Sequence, residues 1–184
     1  LLPKSNVTLV KDIQDHSPIY IFFKINGKDT VADVNRKNSI ITTNWILNID
    51  KRLPLRLVIP EVMKLQQKKR EEKAHKNEAA LNYYSYADSI GKNMAFIPFT
   101  EVYYKMGKPK SGTVVFFNKN NEIWVNDLAI KRAYFNAFFK NVKINSDTIR
   151  FAFDTNMSYG MYIQNKILME SLEKQSDSIE EFIY

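Results

Sequence analysis

Asp50, Asp88 and Asp154 are the residues from which a hydrolytic carboxylate pair could be drawn. Such chemistry needs two carboxyl groups about 5–9.5 Å apart, one acting as acid and the other as nucleophile or base. No spacing in the sequence singles out two of the three. The histidines are His16 and His75. Neither has the second His and intervening Glu of a helical zinc motif, so both read as surface residues. Cysteine is absent, which excludes disulfides, thiolate zinc sites and cysteine nucleophiles. The 5 glycines form no phosphate-cradling loop. The residue types thus argue against an enzyme and imply no metal or cofactor.

Elements must position whatever the chain does. Its 184 residues allow one domain or two small ones, and the 45% hydrophobic content is enough for a core. No apolar run reaches the roughly 18 residues a membrane helix requires. The sequence opens "LLPKSN", without Met or a signal-peptide pattern, so an upstream segment is expected. Charge is uneven. Residues 1–110 hold 19 Lys/Arg against 11 Asp/Glu, and residues 111–184 hold 8 against 9. A basic excess confined to one part fits either a solvated face or contact with an anionic partner. One reading is therefore a binding module for nucleic acid or another anionic polymer. Tyr83, Tyr84 and Tyr86 could stack bases or sugars there, but no RNA-binding strand signature accompanies them, so packing against the loop is the preferred reading.

Residues 1–18 read as an extended leader. Pro18–Val34 reads as a hairpin turning at Asn26-Gly27. Ser39–Ile49, rich in β-branched residues, predicts a strand. Ile59–Leu81 predicts a helix with Pro60 in its first turn. Its second half is polar all round, with Lys68, Lys69, Arg70 and Glu71 outside any core and Glu72–Lys76 as an i,i+4 pair. Asn82–Asn93 reads as a loop, and Met94–Tyr104 as a strand with Pro98 at an edge or bulge. Lys105–Gly112 reads as a linker, which places a boundary near residue 110.

Beyond it, Thr113–Asp127 predicts a second hairpin, Leu128–Val142 a helix, Thr148–Phe153 a strand, Tyr159–Gln175 a helix and Glu180–Tyr184 a short strand. Tyr134, Phe135, Phe138, Phe139 and Val142 share one helical face, and Phe135 and Phe139 are expected in the core. In the last helix Met161, Ile163, Ile167, Leu168 and Leu172 are the candidate buried positions. The fold class is α+β, with a β-β-α-β-α-β C-terminal lobe. The two hairpins predict sheets that are not wholly parallel.

The stretch "DTIRFAFDTNMSYGMYIQN" joins these pieces. A strand ends on Asp154, whose carboxylate can accept from the following turn. Ser158 is a good N-cap, and Tyr159 can bury its ring while its hydroxyl finds a partner. With the hairpin and helix before it, this stretch resembles the periplasmic domain of the ExbD/TolR family over residues 111–184. "LLPKS" is similar to the segment after that family's membrane helix.

The resemblance implies a non-enzymatic part of a proton-driven motor. It would belong to a single-pass protein of the bacterial inner membrane, with these residues in the periplasm. The implied partners are an ExbB/TolQ-like membrane protein, a TonB-like protein or peptidoglycan, and a second copy of the chain. Asp154 and Tyr159 occupy the motif positions, and no cofactor is implied. Family domains of this kind are shorter, so residues 19–106 are an extra α+β lobe, read here as an insertion rather than a second copy. The apolar end Phe182, Ile183 and Tyr184 is expected to form an exposed edge open to a partner strand.

Overall fold

A computed structural model describes residues 13–37, 39–73, 77–89, 91–141, 149–173 and 179–184. Among them the chain forms two mixed β-sheets and three α-helices, an α+β fold. It divides into two compact units. One comprises residues up to Leu53 with Leu57–Glu101, and the other Pro54–Arg56 with Val102–Tyr184.

In the first unit, β1 (His16–Asn26) and β2 (Asp29–Asn35) form the expected hairpin. Its two-residue loop is Gly27-Lys28, one position later than anticipated. Gly27 takes φ +63 there, the conformation a type II′ turn asks of its first central residue. β3 (Asn44–Ile49) lies parallel to β1, α1 (Leu55–Glu71) follows, and β4 (Asn82–Asp88) lies parallel to β3. β5 (Asn93–Pro98) closes the sheet antiparallel to β4, giving the order β2-β1-β3-β4-β5. Ile19, Leu47, Tyr84 and Ile97 make one buried cross-strand row. α1 buries Leu55, Val58, Ile59, Val62 and Leu65, the spacing of an amphipathic helix.

Several sequence expectations change here. Asn82–Asp88 is a strand, not a loop, and Tyr84 is buried in it, stacked on Phe99 at 3.8 Å. Only Ser85 alternates with tyrosine, and the polar residues Asn82 and Asp88 bound the run, so the strand signal is masked. Helix α1 starts four residues before the expected Ile59, and Pro60 lies inside it. Lys69 does not face solvent. It is buried and donates to the Thr43 carbonyl at 2.9 Å and to Asn82 Oδ1 at 3.0 Å. The Glu72–Lys76 pair, His75 and most of the proposed leader reach outside the described residues.

The second unit starts with β6 (Val102–Met106), so the division falls at Glu101 rather than near residue 110. β7 (Thr113–Phe117), β8 (Ile123–Val125) and β9 (Leu128–Ile130) form an antiparallel meander. The helix anticipated from Leu128 is shorter. Leu128–Ile130 is strand, a 3-10 turn covers Arg132–Tyr134, and α2 spans Phe135–Asn141. Phe135 is fully buried, Phe138 and Phe139 are partly so, and Tyr134 is exposed. β10 (Ile149–Phe153), α3 (Tyr159–Glu173) and β11 (Ile179–Ile183) complete the order β6-β11-β10-β7-β8-β9. On α3, Ile163 and Leu168 are buried as expected, Met161 and Ile167 are intermediate, and Leu172 lies outside the described side chains. Tyr162, Lys166 and Met169 are buried although periodicity did not single them out.

The two units share a path. Hairpin partner, first strand, third strand and fourth strand lie in the order β2-β1-β3-β4 in one and β8-β7-β10-β11 in the other. In both the third of these strands is followed directly by an aspartate, Asp50 or Asp154, and leads into a helix. Counting from Asp50 and Asp154, the pairs Leu53/Met157, Leu55/Tyr159, Val58/Tyr162, Ile59/Ile163, Val62/Lys166 and Leu65/Met169 are buried in both.

Candidate functional site

In the second unit β6, β11, β10 and β7 run parallel, and Met106, Ile183, Phe153 and Phe117 form one row across them. Four carboxyl ends are therefore flush. That rim is where open parallel sheets place ligands. The chain closes it with main-chain bonds. Gly107 N–H donates to the Ile183 carbonyl at 2.8 Å, Tyr184 to Phe153 at 3.1 Å, Asp154 to Phe117 at 3.0 Å and Thr155 to Tyr184 at 3.1 Å.

Asp154 stands on this rim. Its Oδ1 accepts from Asn156 N–H at 2.7 Å and its Oδ2 from Lys119 N–H at 3.2 Å. One carboxylate thus fixes both the strand-to-helix turn and the β7–β8 turn. Ser158 Oγ accepts from Met161 N–H at 3.4 Å, as an N-cap does. Tyr159 is 3% exposed and tilts against Tyr162 with ring centroids 6.1 Å apart. Asp50 repeats the turn in the first unit. Its Oδ1 accepts from Arg52 N–H at 3.0 Å, and its carbonyl from Leu53 N–H at 3.2 Å. The Arg52 guanidinium also grips Asp50, and that bond holds its pKa below the ordinary carboxylate value. Asp50 and Asp154 are thus each committed to a turn of their own unit.

Below the rim lies a cluster the sequence did not reveal. Lys166 Nζ meets Glu181 Oε1 at 2.6 Å, both side chains almost wholly buried. Tyr162 O–H donates to Glu181 Oε2 at 2.7 Å, and Tyr104 and Tyr162 hydroxyls are 3.0 Å apart. Since Tyr162 has one proton and gives it to Glu181, Tyr104 donates to Tyr162. The chain of bonds links β6, α3 and β11. A Lys and a Glu 15 residues apart carry no local signature of pairing, so only the parallel register could disclose it.

Phe182, Ile183 and Tyr184 do not form a free edge. β11 lies between β6 and β10 and pairs with both, and Ile183 is buried. The expectation failed because β6 was read as part of the preceding strand. It instead crosses into the second sheet and covers β11. Phe182 and Tyr184 are partly exposed, and Tyr184 stacks on Phe116 at 4.9 Å with Lys108 Nζ 5.2 Å from its ring centre. Partial burial raises the pKa of the Tyr184 hydroxyl.

Among the described residues, no group of three His, Asp or Glu could hold a metal ion, and no helix is long and apolar enough to cross a membrane. Comparison with protein-family models, characterised proteins and solved structures finds no match to this chain.

Proposed function

We propose that the chain is the periplasmic part of an ExbD/TolR-like protein of the bacterial inner membrane. In this reading it is not an enzyme. It couples proton motive force to transport or envelope work through an ExbB/TolQ-like membrane protein and a TonB-like partner or peptidoglycan. What carries the reading is the connection at Asp154. A hairpin and helix precede a strand that is followed directly by Asp154, and after four intervening residues Tyr159 opens α3. The motif positions serve as architecture here, Asp154 as the cap of two turns and Tyr159 as core.

Residues 13–101 are, in the same proposal, a diverged second copy of the lobe rather than an insertion. The shared strand order and the matching Asp50 and Asp154 turns support that preference. Self-association, which the family resemblance implies, would need a surface other than β11.

Two measurements test the function. The reading frame upstream of Leu1 is expected to encode an apolar span of about 20 residues, and its absence would defeat the proposal. Full-length protein cross-linked in native membranes is expected to retain an ExbB/TolQ-like polytopic protein after solubilisation. Recovery of nucleic acid instead, in a salt-sensitive complex, would favour the basic-module reading.

A further inference from the structure

In the first unit, β1 outruns one of its neighbours. It pairs with β2 through Tyr20–Asn26, but with β3 only as far as Ile21, which faces Ile49. Asp50 N–H donates to the Ile21 carbonyl at 3.0 Å, and the chain then turns, with Leu53 N–H donating to the Asp50 carbonyl at 3.2 Å. Phe22–Asn26 and Asp29–Asp33 therefore project past β3 as a two-stranded arm closed by the Gly27-Lys28 turn.

The arm leaves one strand edge open. Asn26↔Asp29 closes the two-residue loop, so Lys24↔Val31 and Phe22↔Asp33 are hydrogen-bonded pairs, while Phe23↔Ala32 and Ile25↔Thr30 are not. The N–H and C=O groups of Phe23 and Ile25 accordingly point away from β2, to the side on which Ile21 meets Asp50. Among the described residues none of these four groups has a partner. The side chains on this part of the arm are also incompletely covered. Ile25 is 67% exposed, and Phe23 is partly exposed, with the Arg52 guanidinium 4.5 Å from its ring centre. Isolated two-stranded ribbons are marginal, and an open edge is a template for another strand.

We propose that this edge pairs with the same edge of a second copy of the chain, antiparallel about a twofold axis at Lys24. The edge is self-complementary. Phe23 exchanges both main-chain bonds with Ile25 of the second copy, and Ile25 does so with Phe23 of the second copy, which uses all four open groups of each arm. Each exchange sets an aromatic side chain opposite a β-branched one, a favourable cross-strand pair. The length of the edge favours this occupant. A long strand laid along Phe23–Ile25 would run into the Asp50–Leu53 turn, whereas a second arm ends at its own Gly27, where the space a Cβ would take is empty. Charge agrees. On the other face of the arm Lys24 meets Lys24 of the second copy, and each lysine has its own Asp33 at 3.4 Å, so the cluster is neutral. The inference rests on the first unit alone and does not depend on the family proposed above.

The test exploits the absence of cysteine from the chain. Across the twofold axis the two Lys24 Cα atoms would lie about 4.5 Å apart, the spacing of a non-hydrogen-bonded antiparallel pair, within reach of a disulfide. The two Asn26 Cα atoms would lie about 13 Å apart along the strands, beyond that reach. Lys24→Cys and Asn26→Cys versions of the whole chain are oxidised with glutathione, and disulfide-linked dimer is followed by non-reducing electrophoresis. Lys24→Cys is expected to cross-link about ten-fold or more faster than Asn26→Cys. Adding Ile25→Pro to Lys24→Cys removes an N–H that points to the open edge, a change an edge position tolerates, and should lower the rate to that of Asn26→Cys. Equal rates at the two cysteine positions, or a rate that Ile25→Pro leaves unchanged, would overturn the proposal. So would a lack of cross-linking at Lys24, which would leave the edge to a strand of another protein. The comparison of the two cysteine positions decides the matter even if the proline variant fails to fold.

Discussion

Replacing Lys166 by methionine is expected to destabilise the second unit by about 3–5 kcal/mol, the usual cost of orphaning one member of a buried ion pair. Methionine retains much of the apolar stem but removes Nζ, which lies 2.6 Å from Glu181 Oε1. Glu181 is fully buried, so water cannot replace the lost ammonium without opening the core. Its remaining bond from Tyr162 is worth about 1.5–3 kcal/mol and is already present, so it offsets none of the loss. A solvent-exposed pair would cost at most about 1 kcal/mol, which makes the magnitude diagnostic.

The double variant Lys166→Met/Glu181→Met removes both charges and is expected to recover most of the loss. The first unit shows the apolar solution. Val58 and Val62 correspond to Tyr162 and Lys166, and Tyr84, opposite Leu47, corresponds to Glu181, opposite Phe151. The assay is urea unfolding followed by fluorine NMR of 5-fluorotryptophan protein. The chain has 2 tryptophans, Trp45 in the first unit and Trp124 in the second. At a slope of about 2 kcal/mol/M, the single variant should lower the Trp124 midpoint by about 2 M. A drop below about 0.5 M would refute the reasoning, as would a double variant as unstable as the two singles summed.

Phe135 is fully buried, and Phe135→Ala is expected to cost about 3–5 kcal/mol in the Trp124 transition; an unchanged midpoint would contradict its placement. Asp154→Ala releases two backbone N–H groups and should cost about 1–2 kcal/mol, with Asp154→Asn milder because its oxygen still accepts from Asn156 N–H. Burial lowers the Lys69 pKa to about 8, against about 10.4 in an unfolded chain. Between those values the unfolded state binds more protons, so Lys69 makes the first unit more stable as pH rises from 8 toward 10.4. The Trp45 midpoint of wild type should gain on that of Lys69→Met over this window, and parallel pH profiles would count against it. Deleting residues 179–184 removes an interior strand, so the second unit should lose its cooperative transition; sedimentation showing a folded monomer instead would contradict the sheet order.

What could be read from the sequence followed local rules. The Gly27 hairpin, the Thr113–Asp127 hairpin and the strand-to-helix turn at Asp154 declare themselves because turn chemistry and periodicity act within a few residues. β4 is hidden in the sequence because Tyr83 and Tyr84 are adjacent and only Ser85 alternates with tyrosine, while Asn82 and Asp88 bound the run with polar residues. β6 was missed because Pro98 and Val102 are separated by only three residues, yet they belong to strands of different sheets. Lys69, Lys166 and Glu181 look like ordinary surface charges in sequence. Their burial depends on partners supplied by other strands, and no local pattern encodes that register.

The aspartate turn recurs while the core behind it changes, and this separates what the arrangement requires from what it permits. Asp50 and Asp154 each receive the N–H two residues ahead on a carboxylate oxygen and the N–H three ahead on the carbonyl. This geometry aims the next helix back across its sheet and needs only a short acceptor side chain at the strand end. The residues beneath are free to differ. Val58, Val62 and Tyr84 fill the first unit with apolar surface, whereas the second places a tyrosine, a lysine and a glutamate at the matching positions. An apolar core suffices for the shared path, so the fold does not demand the Lys166–Glu181 pair. Its remaining structural consequence is directional. Through Tyr162 and Tyr104 it ties β11 to β6, the strand that denies β11 a free edge. An apolar core would tolerate a slip of β6 along β11 far more readily than hydroxyl bonds of 2.7 and 3.0 Å do, and a slipped β6 would expose the Phe182–Tyr184 backbone to pairing with another chain.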